Sequence, residues 1–221
     1  MNFPVKVTAD SLHMRQGAGS KFDSIEFLSK GDLLNVISID NTGTWLHVKQ
    51  TVKAGKEGWC SARYLLPQAK QQSPWLEIAV REIGIKEYPG ADSNHPRIQA
   101  YLSTVNGLSQ IDKSQDETAW CSCFINWCIE QVHINGTDSA WAKSWGNWRK
   151  AVTPKSAQTG DIAVFDRSSG GHVSIFIEAD AATGEVLVLG GNQSDSVRYS
   201  WYPIDTIKNG THYKLLTCRR L

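Results

Sequence analysis

Cys121 opens the segment Cys-Ser-Cys-Phe-Ile-Asn-Trp-Cys-Ile-Glu (121–130), and Gly-Gly-His-Val at 170–173 leads into an apolar, strand-like run. A thiol that attacks an amide near neutral pH needs a lowered pKa and a base within reach. The start of a helix provides the first, through unpaired N–H groups and the positive end of the helix dipole. A histidine carried on a neighbouring strand provides the second. The two segments predict a cysteine hydrolase with Cys121 as nucleophile and His172 as base.

The helix around Cys121 is legible from its periodicity. Cys121, Phe124, Ile125, Cys128 and Ile129 recur at i, i+3, i+4, i+7 and i+8, an apolar face that packs against a core. Only Cys121 stands at the N-terminal end. Cys128 lies two turns in on the same face, where a thiol acts as a small hydrophobe, and Cys123 points about 200° around the axis from Cys121. His172 is singled out by the two glycines before it, which allow close backbone approach to a cleft. His13, His47, His95, His133 and His212 lack such a context and are expected to be structural or solvated.

The elements that must hold these groups fall into two regions. Val5–Thr8, Ser11–Arg15, Leu33–Ile39, Thr44–Lys49 and Glu57–Cys60 carry strand patterns broken by Gly- and Asn-rich turns, which predicts a small antiparallel barrel over residues 1–67. Residues 68–73 form a polar linker between prolines. The stretch 74–221 begins with helices. Ser73 is a predicted N-cap for a helix from Pro74, with Trp75, Ile78, Ala79 and Ile83 inward and Gly84 as the stop. A second helix starts near Pro96, with Ile98, Tyr101 and Leu102 inward. Strands follow at Ile162–Phe165, Val173–Ile177, Val186–Leu189, Val197–Tyr202 and Tyr213–Thr217. Helices first and strands afterwards predict an α+β domain with an antiparallel sheet.

Composition excludes several classes. Hydrophobic residues make up 41% and charged residues 20%, with a formal net charge of +1 and no dense basic run, so neither nucleic acid nor an anionic membrane is an expected partner. No apolar stretch approaches the length of a membrane span, and membrane insertion is not expected. The first residues lack signal-peptide architecture, so synthesis and folding in a bacterial cytoplasm are expected. Five cysteines without regular spacing predict reduced thiols and neither a disulfide framework nor a structural zinc site.

Two resemblances sharpen the reading. Val-Thr-Ala-Asp-Ser-Leu-His-Met-Arg-Gln-Gly (7–17), Leu-Ser-Lys-Gly-Asp (28–32), Thr-Trp-Leu-His-Val (44–48) and Gly-Trp-Cys-Ser-Ala-Arg-Tyr-Leu (58–65) resemble the bacterial SH3-like family. Its modules often hold enzymes on cell-wall peptides. Trp45, Trp59 and Tyr64 are expected to serve as core and corner residues. Asp-Glu-Thr-Ala-Trp-Cys-Ser-Cys-Phe-Ile-Asn-Trp-Cys (116–128), Thr-Gly-Asp-Ile-Ala-Val-Phe (159–165), Gly-Gly-His-Val-Ser-Ile-Phe (170–176) and Leu-Gly-Gly-Asn-Gln (189–193) resemble the papain-like NlpC and CHAP cell-wall hydrolases. CHAP stands for cysteine, histidine-dependent amidohydrolase/peptidase. The four blocks stand in the family's order.

That resemblance implies a papain-like catalytic domain over 74–221, cleavage of an amide in the peptidoglycan stem peptide or between glycan and peptide, and no metal or organic cofactor. It implies Cys121 as nucleophile, His172 as base and a polar third residue from the next strand. Asn192 fits that place, its amide oxygen fixing the imidazole tautomer, with Gln193 and Asp195 as alternatives. Trp120, Asp116, Glu117 and Gln193 are the candidates for touching substrate, although Trp120 suits a helix-entry staple equally well. Trp141, Trp145 and Trp148 are expected to pack a helix or the turn after it rather than a sugar, with room for one of them to do both. A wall enzyme without a leader implies action in the periplasm or wall after injection, lysis or non-classical export. Two routes fit: an antibacterial effector of type VI secretion kind, with an immunity protein as partner, or a phage-type lysin. The near-zero charge favours the effector. Two other classes stay open, an inactive module that binds wall peptides or proteins, and a thiol-dependent deamidase or transferase acting on a protein.

Overall fold

In the computed structural model, which describes residues 1–221 apart from 52–54, 91–92 and 169, two antiparallel sheets carry almost the whole framework. The first contains β1 (Phe3–Val7), β2 (Ser11–Arg15), β3 (Ser24–Ser29), β4 (Leu33–Ile39), β5 (Trp45–Gln50), β6 (Glu57–Ser61) and β7 (Leu65–Pro67), in the order β3-β2-β6-β5-β4-β1-β7. Alternation explains the packing: Phe3, Val5 and Val7 of β1 are buried between exposed Pro4 and Lys6. The sequence pattern predicts no strand at β3. Ile25 and Phe27 of that strand are exposed, so its apolar residues do not report a buried face.

Four α-helices follow among the described residues. α1 (Pro74–Arg81), α2 (Pro96–Leu102), α3 (Gln110–Ser114) and α4 (Cys121–Glu130) precede β8 (Lys150–Val152) and the second sheet. α1 buries Trp75, Leu76, Ala79 and Val80, and Ile83 is buried just beyond it, so of the four residues expected inward only Ile78 is half-buried. The Ser73 cap is not formed: its hydroxyl makes no hydrogen bond, because the tight turn at Gly160 packs against it. α2 buries Ile98, Tyr101 and Leu102 as its spacing predicts. α3 was not expected, although Ser109 and Asp112 form a capping box readable as Ser-x-x-Asp. Among the described residues, no helix is long and apolar enough to cross a membrane.

The second sheet contains β9 (Ile162–Arg167), β10 (Gly170–Asp180), β11 (Glu185–Gly190), β12 (Arg198–Pro203), β13 (Asp205–Lys208) and β14 (Thr211–Arg220). Its order is β12-β11-β10-β9-β14-β13, with β8 added to β14. The α+β expectation is met. Val173, Ile175 and Ile177 of β10 join the main core with the helices, whereas Phe176 joins a second apolar cluster with Phe165, Val188 and Leu215. The Thr-Gly-Asp block serves the frame: Asp161 is buried and accepts two hydrogen bonds from Arg220 and one from Gln71.

The segment expected to act as a linker is pinned. Gln68 N–H donates to the Pro4 carbonyl, and Gln71 reaches Asp161. Arg63 donates to the Arg81 carbonyl, and Arg198 donates to the carbonyl of Asn41. Tyr199 N–H donates to the Gly43 carbonyl at 3.0 Å. Gly43 has φ +66°, and a Cβ there would lie 2.1 Å from the Tyr199 carbonyl oxygen. The turn between β4 and β5 therefore sits directly on β12, and one apolar core runs through both sheets.

Candidate active site

α4 begins at Cys121, as the periodicity predicts, but it is buried almost all round: Ser122, Cys123 and Asn126 are buried with the apolar face. The polar side has its own partner. Asn126 Oδ1 accepts the N–H groups of Thr137 and Asp138, while its Nδ2 donates to the carbonyls of Ser122 and Ser139. Ser122 Oγ donates to the Ser139 carbonyl and accepts from Trp145 Nε1. These bonds hold the chain after α4 against the helix start, and it continues as Ala140, Trp141 and Ala142, one wall of a cavity of about 210 Å³. Cys121, Arg167, Gly171, His172 and Asn192 supply the rest with Ala119.

His172 comes to this cavity at the beginning of β10, paired opposite Phe165 of β9. It is buried, with the rings of Tyr202 and Phe165 centred 5.0 and 6.3 Å away. Its Nε2 lies 2.7 Å from Ser174 Oγ and 3.0 Å from Gln193 Oε1. Ser174 Oγ donates to Gln193 Oε1, and Gln193 Nε2 donates to the Arg198 carbonyl. The amide oxygen at Nε2 makes that atom the proton-bearing one, and leaves Nδ1 as the basic nitrogen. Among the described residues, no hydrogen bond joins Cys121 to His172; the two share the cavity wall, and the Val173 N–H faces the sulfur.

Burial dominates the electrostatics. It pushes the Cys121 thiol up, against the smaller opposing effects of the Val173 N–H, the Arg167 charge and the N–H groups of Ser122 and Cys121. Burial also lowers His172 to about 4; the Gln193 hydrogen bond opposes this and the Arg167 charge adds to it. The resting pair is a neutral thiol and a neutral imidazole. The lowered thiol pKa expected from the helix start is overridden by desolvation. Cys123 and Cys128 are fully buried and likewise raised by burial. All five cysteines are free.

Other expected site residues stand elsewhere. Asn192 lines the cavity at φ +53°, in the turn after β11, and the bond expected of it to the imidazole is made by Gln193. Asp195 lies further round the same turn at φ +59°, and the Glu87 N–H donates to its carbonyl. Asp116 is buried, its Oδ2 accepting the N–H groups of Tyr88 and His95, so it braces a loop and does not face the cavity. Glu117 is exposed and lies outside the cavity lining. Trp120 is fully buried, its Nε1 bonded to Glu87 and its ring against Tyr101 and Phe124, which makes it core and not cleft wall. Gly191 explains how the turn comes so close, since a Cβ there would lie 2.3 Å from the Trp120 ring.

Trp145 and Trp148 are buried as expected, but Trp141 is 62% exposed on the cavity wall. Three site residues escaped sequence reading: Arg167, Ser174 and Trp141 as a wall. Ser174 was findable, because it stands two residues after His172 and strand alternation puts both on one face.

Residues 113–192 match the CHAP domain model, and residues 10–65 match the model described as Bacterial SH3 domain. Nothing matches among the curated proteins. Among solved structures, the chain is similar to NlpC2 from Trichomonas vaginalis at 15% identity, covering 100% of this chain and 72% of that one with a TM-score of 0.39. It is similar to NlpC1 of the same organism at 14% identity, covering 100% and 69%, with a TM-score of 0.33.

Proposed function

We propose that this chain, which joins a bacterial SH3 domain to a CHAP domain, hydrolyses an amide bond of the peptidoglycan stem peptide through a Cys121 thioester. The CHAP match supports membership of a cell-wall amidase and peptidase family. The observation that carries the finer reading is the sharing of one cavity by Cys121 and His172, with Gln193 and Ser174 holding the imidazole from behind.

In this reading the neutral pair transfers its proton as the reaction begins. His172 Nδ1 takes the thiol proton while the sulfur attacks the carbonyl carbon. The unpaired N–H groups at the start of α4 stabilise the oxyanion. Collapse breaks the C–N bond, and the imidazolium gives its proton to the leaving amine. A water then enters, loses a proton to His172 and attacks the thioester, which releases the carboxylate and restores the thiol. Gln193 acts as a positioning residue that keeps the proton on Nε2. Exposed Trp141 offers a flat wall for the substrate chain.

The test is a digest of peptidoglycan sacculi with products read by mass spectrometry. Cys121→Ala removes the covalent route and should lower turnover by on the order of 10³-fold or more. Muropeptide release by Cys121→Ala at the wild-type rate would refute the mechanism. One observation favours a second reading, a cleft that binds without cutting: burial holds the thiol in its protonated form. Retention on sacculi with no released product would select that reading. The delivery route proposed is injection as an antibacterial effector; an immunity gene beside this one supports it, and a holin gene points to a lysin instead.

A further inference from the structure

Arg167 ends β9 where the strand meets the cavity. Its neighbour Asp166 is paired with Lys143. The backbone of Arg167 is paired within the sheet, but among the described residues its side chain makes no ion pair and no hydrogen bond, and its buried Nε has no partner. Among the described residues, no carboxylate lines the cavity that it faces. A guanidinium is planar, permanently charged and matched to a carboxylate by two parallel N–H groups, so leaving one partly buried and unanswered is costly unless a ligand completes it. The position is close to the chemistry: the Arg167 charge is felt by both Cys121 and His172.

We infer that Arg167 is a specificity-determining residue, which selects substrates carrying a free carboxylate beside the scissile amide. The inference rests on the hydrolase reading above and adds a substrate class to it. Stem peptides supply such carboxylates where the γ-linked glutamate keeps its α-carboxyl free, and lose them where that group is amidated. A neutral amide in the same place would leave the guanidinium unpaired and desolvated. The cleft should therefore discriminate between two peptides that differ by a single functional group.

The probes are N-acetylmuramyl-L-Ala-γ-D-Glu-L-Lys-D-Ala-D-Ala and its isoglutaminyl counterpart, compared by kcat/KM. The wild-type enzyme should prefer the free acid by roughly tenfold to a hundredfold, the range expected for a charge-assisted hydrogen bond. Arg167→Gln should erase the ratio, and Arg167→Lys should keep part of it. Equal rates on the two peptides in the wild type, or an unchanged ratio in Arg167→Gln, would overturn the inference. A second arm needs no hydrolysis. Alkylation of Cys121 by iodoacetate relative to iodoacetamide, located by peptide mapping, should fall by roughly tenfold in Arg167→Gln. An identical reagent ratio in the two proteins would also overturn it. If neither peptide is cut by the wild type, the hydrolase reading fails, and the alkylation ratio decides the role of Arg167.

Discussion

Acid should weaken this fold through His172 in a defined window. The imidazole is ordinarily half-protonated near 6.5, and burial lowers it to about 4. Below 6.5 the unfolded chain takes up a proton that the native state refuses, so the unfolded state binds more protons and stability falls with falling pH. The contribution is fully present above about 6.5, decreases through the interval, and is gone below about 4. The fall from 6.5 to about 4, at 1.36 kcal/mol per pH unit, amounts to roughly 3 kcal/mol, of which about 2 kcal/mol should be lost by pH 5. The assay is urea unfolding of the wild type and His172→Gln at pH 7, 6, 5 and 4. Other titrating groups are common to both proteins, so the difference in their pH slopes isolates this side chain. The wild type should lose about 3 kcal/mol more than the variant across the series. Parallel curves would refute the reasoning, as would an imidazole Cε1–H resonance that titrates near 6.5 in the folded wild type.

Replacing Gln193 by Glu puts a carboxylate at the Nε2 face of the imidazole, where the amide oxygen stands at 3.0 Å. An opposite charge at that range should raise His172 by about 1–3 units and move the acid limb of kcat/KM up by the same amount; an unmoved limb would show that Gln193 does not face the working base. Gly43→Ala adds a Cβ 2.1 Å from the Tyr199 carbonyl oxygen at a φ of +66°. It should cost on the order of 1–3 kcal/mol in chemical denaturation. It should also lower kcat more than it raises KM, because Arg198, whose carbonyl holds Gln193, adjoins the displaced residue. A loss of stability with unchanged kcat would confine its effect to packing.

Much of this architecture is visible in the chain because repetition reports burial. The 3.6-residue spacing places α4 at Cys121, and alternation marks β1, β2 and β14. Where the chain turns, that signal stops. Asn192, Ser194 and Asp195 all take left-handed φ values, so the direction of each side chain changes within a residue or two. No spacing rule chooses Gln193 over Asn192 there. Asp116 shows a second limit: a carboxylate before a nucleophile suggests substrate contact, but only the fold reveals the two backbone N–H groups that occupy it. The titration behaviour is a third. A helix start is a local feature that favours a thiolate, whereas the desolvation that overrules it comes from distant segments packed around Cys121.

The hydrogen bonds between the Asn126 side chain and residues 137–139 have a consequence for how the molecule tolerates change. One amide stands in for a strand, matching the N–H groups of Thr137 and Asp138 and the carbonyl of Ser139, which no backbone group meets among the described residues. The span from Asn126 to Ser139 is thereby fixed in length, since an extra residue would shift the bonded groups of Thr137, Asp138 and Ser139 past the amide. The exposed tip joining β10 to β11, at residues 181–183, carries no such constraint. Homologues that differ by insertions should carry them at that tip, and keep the count between the amide and the cavity wall constant.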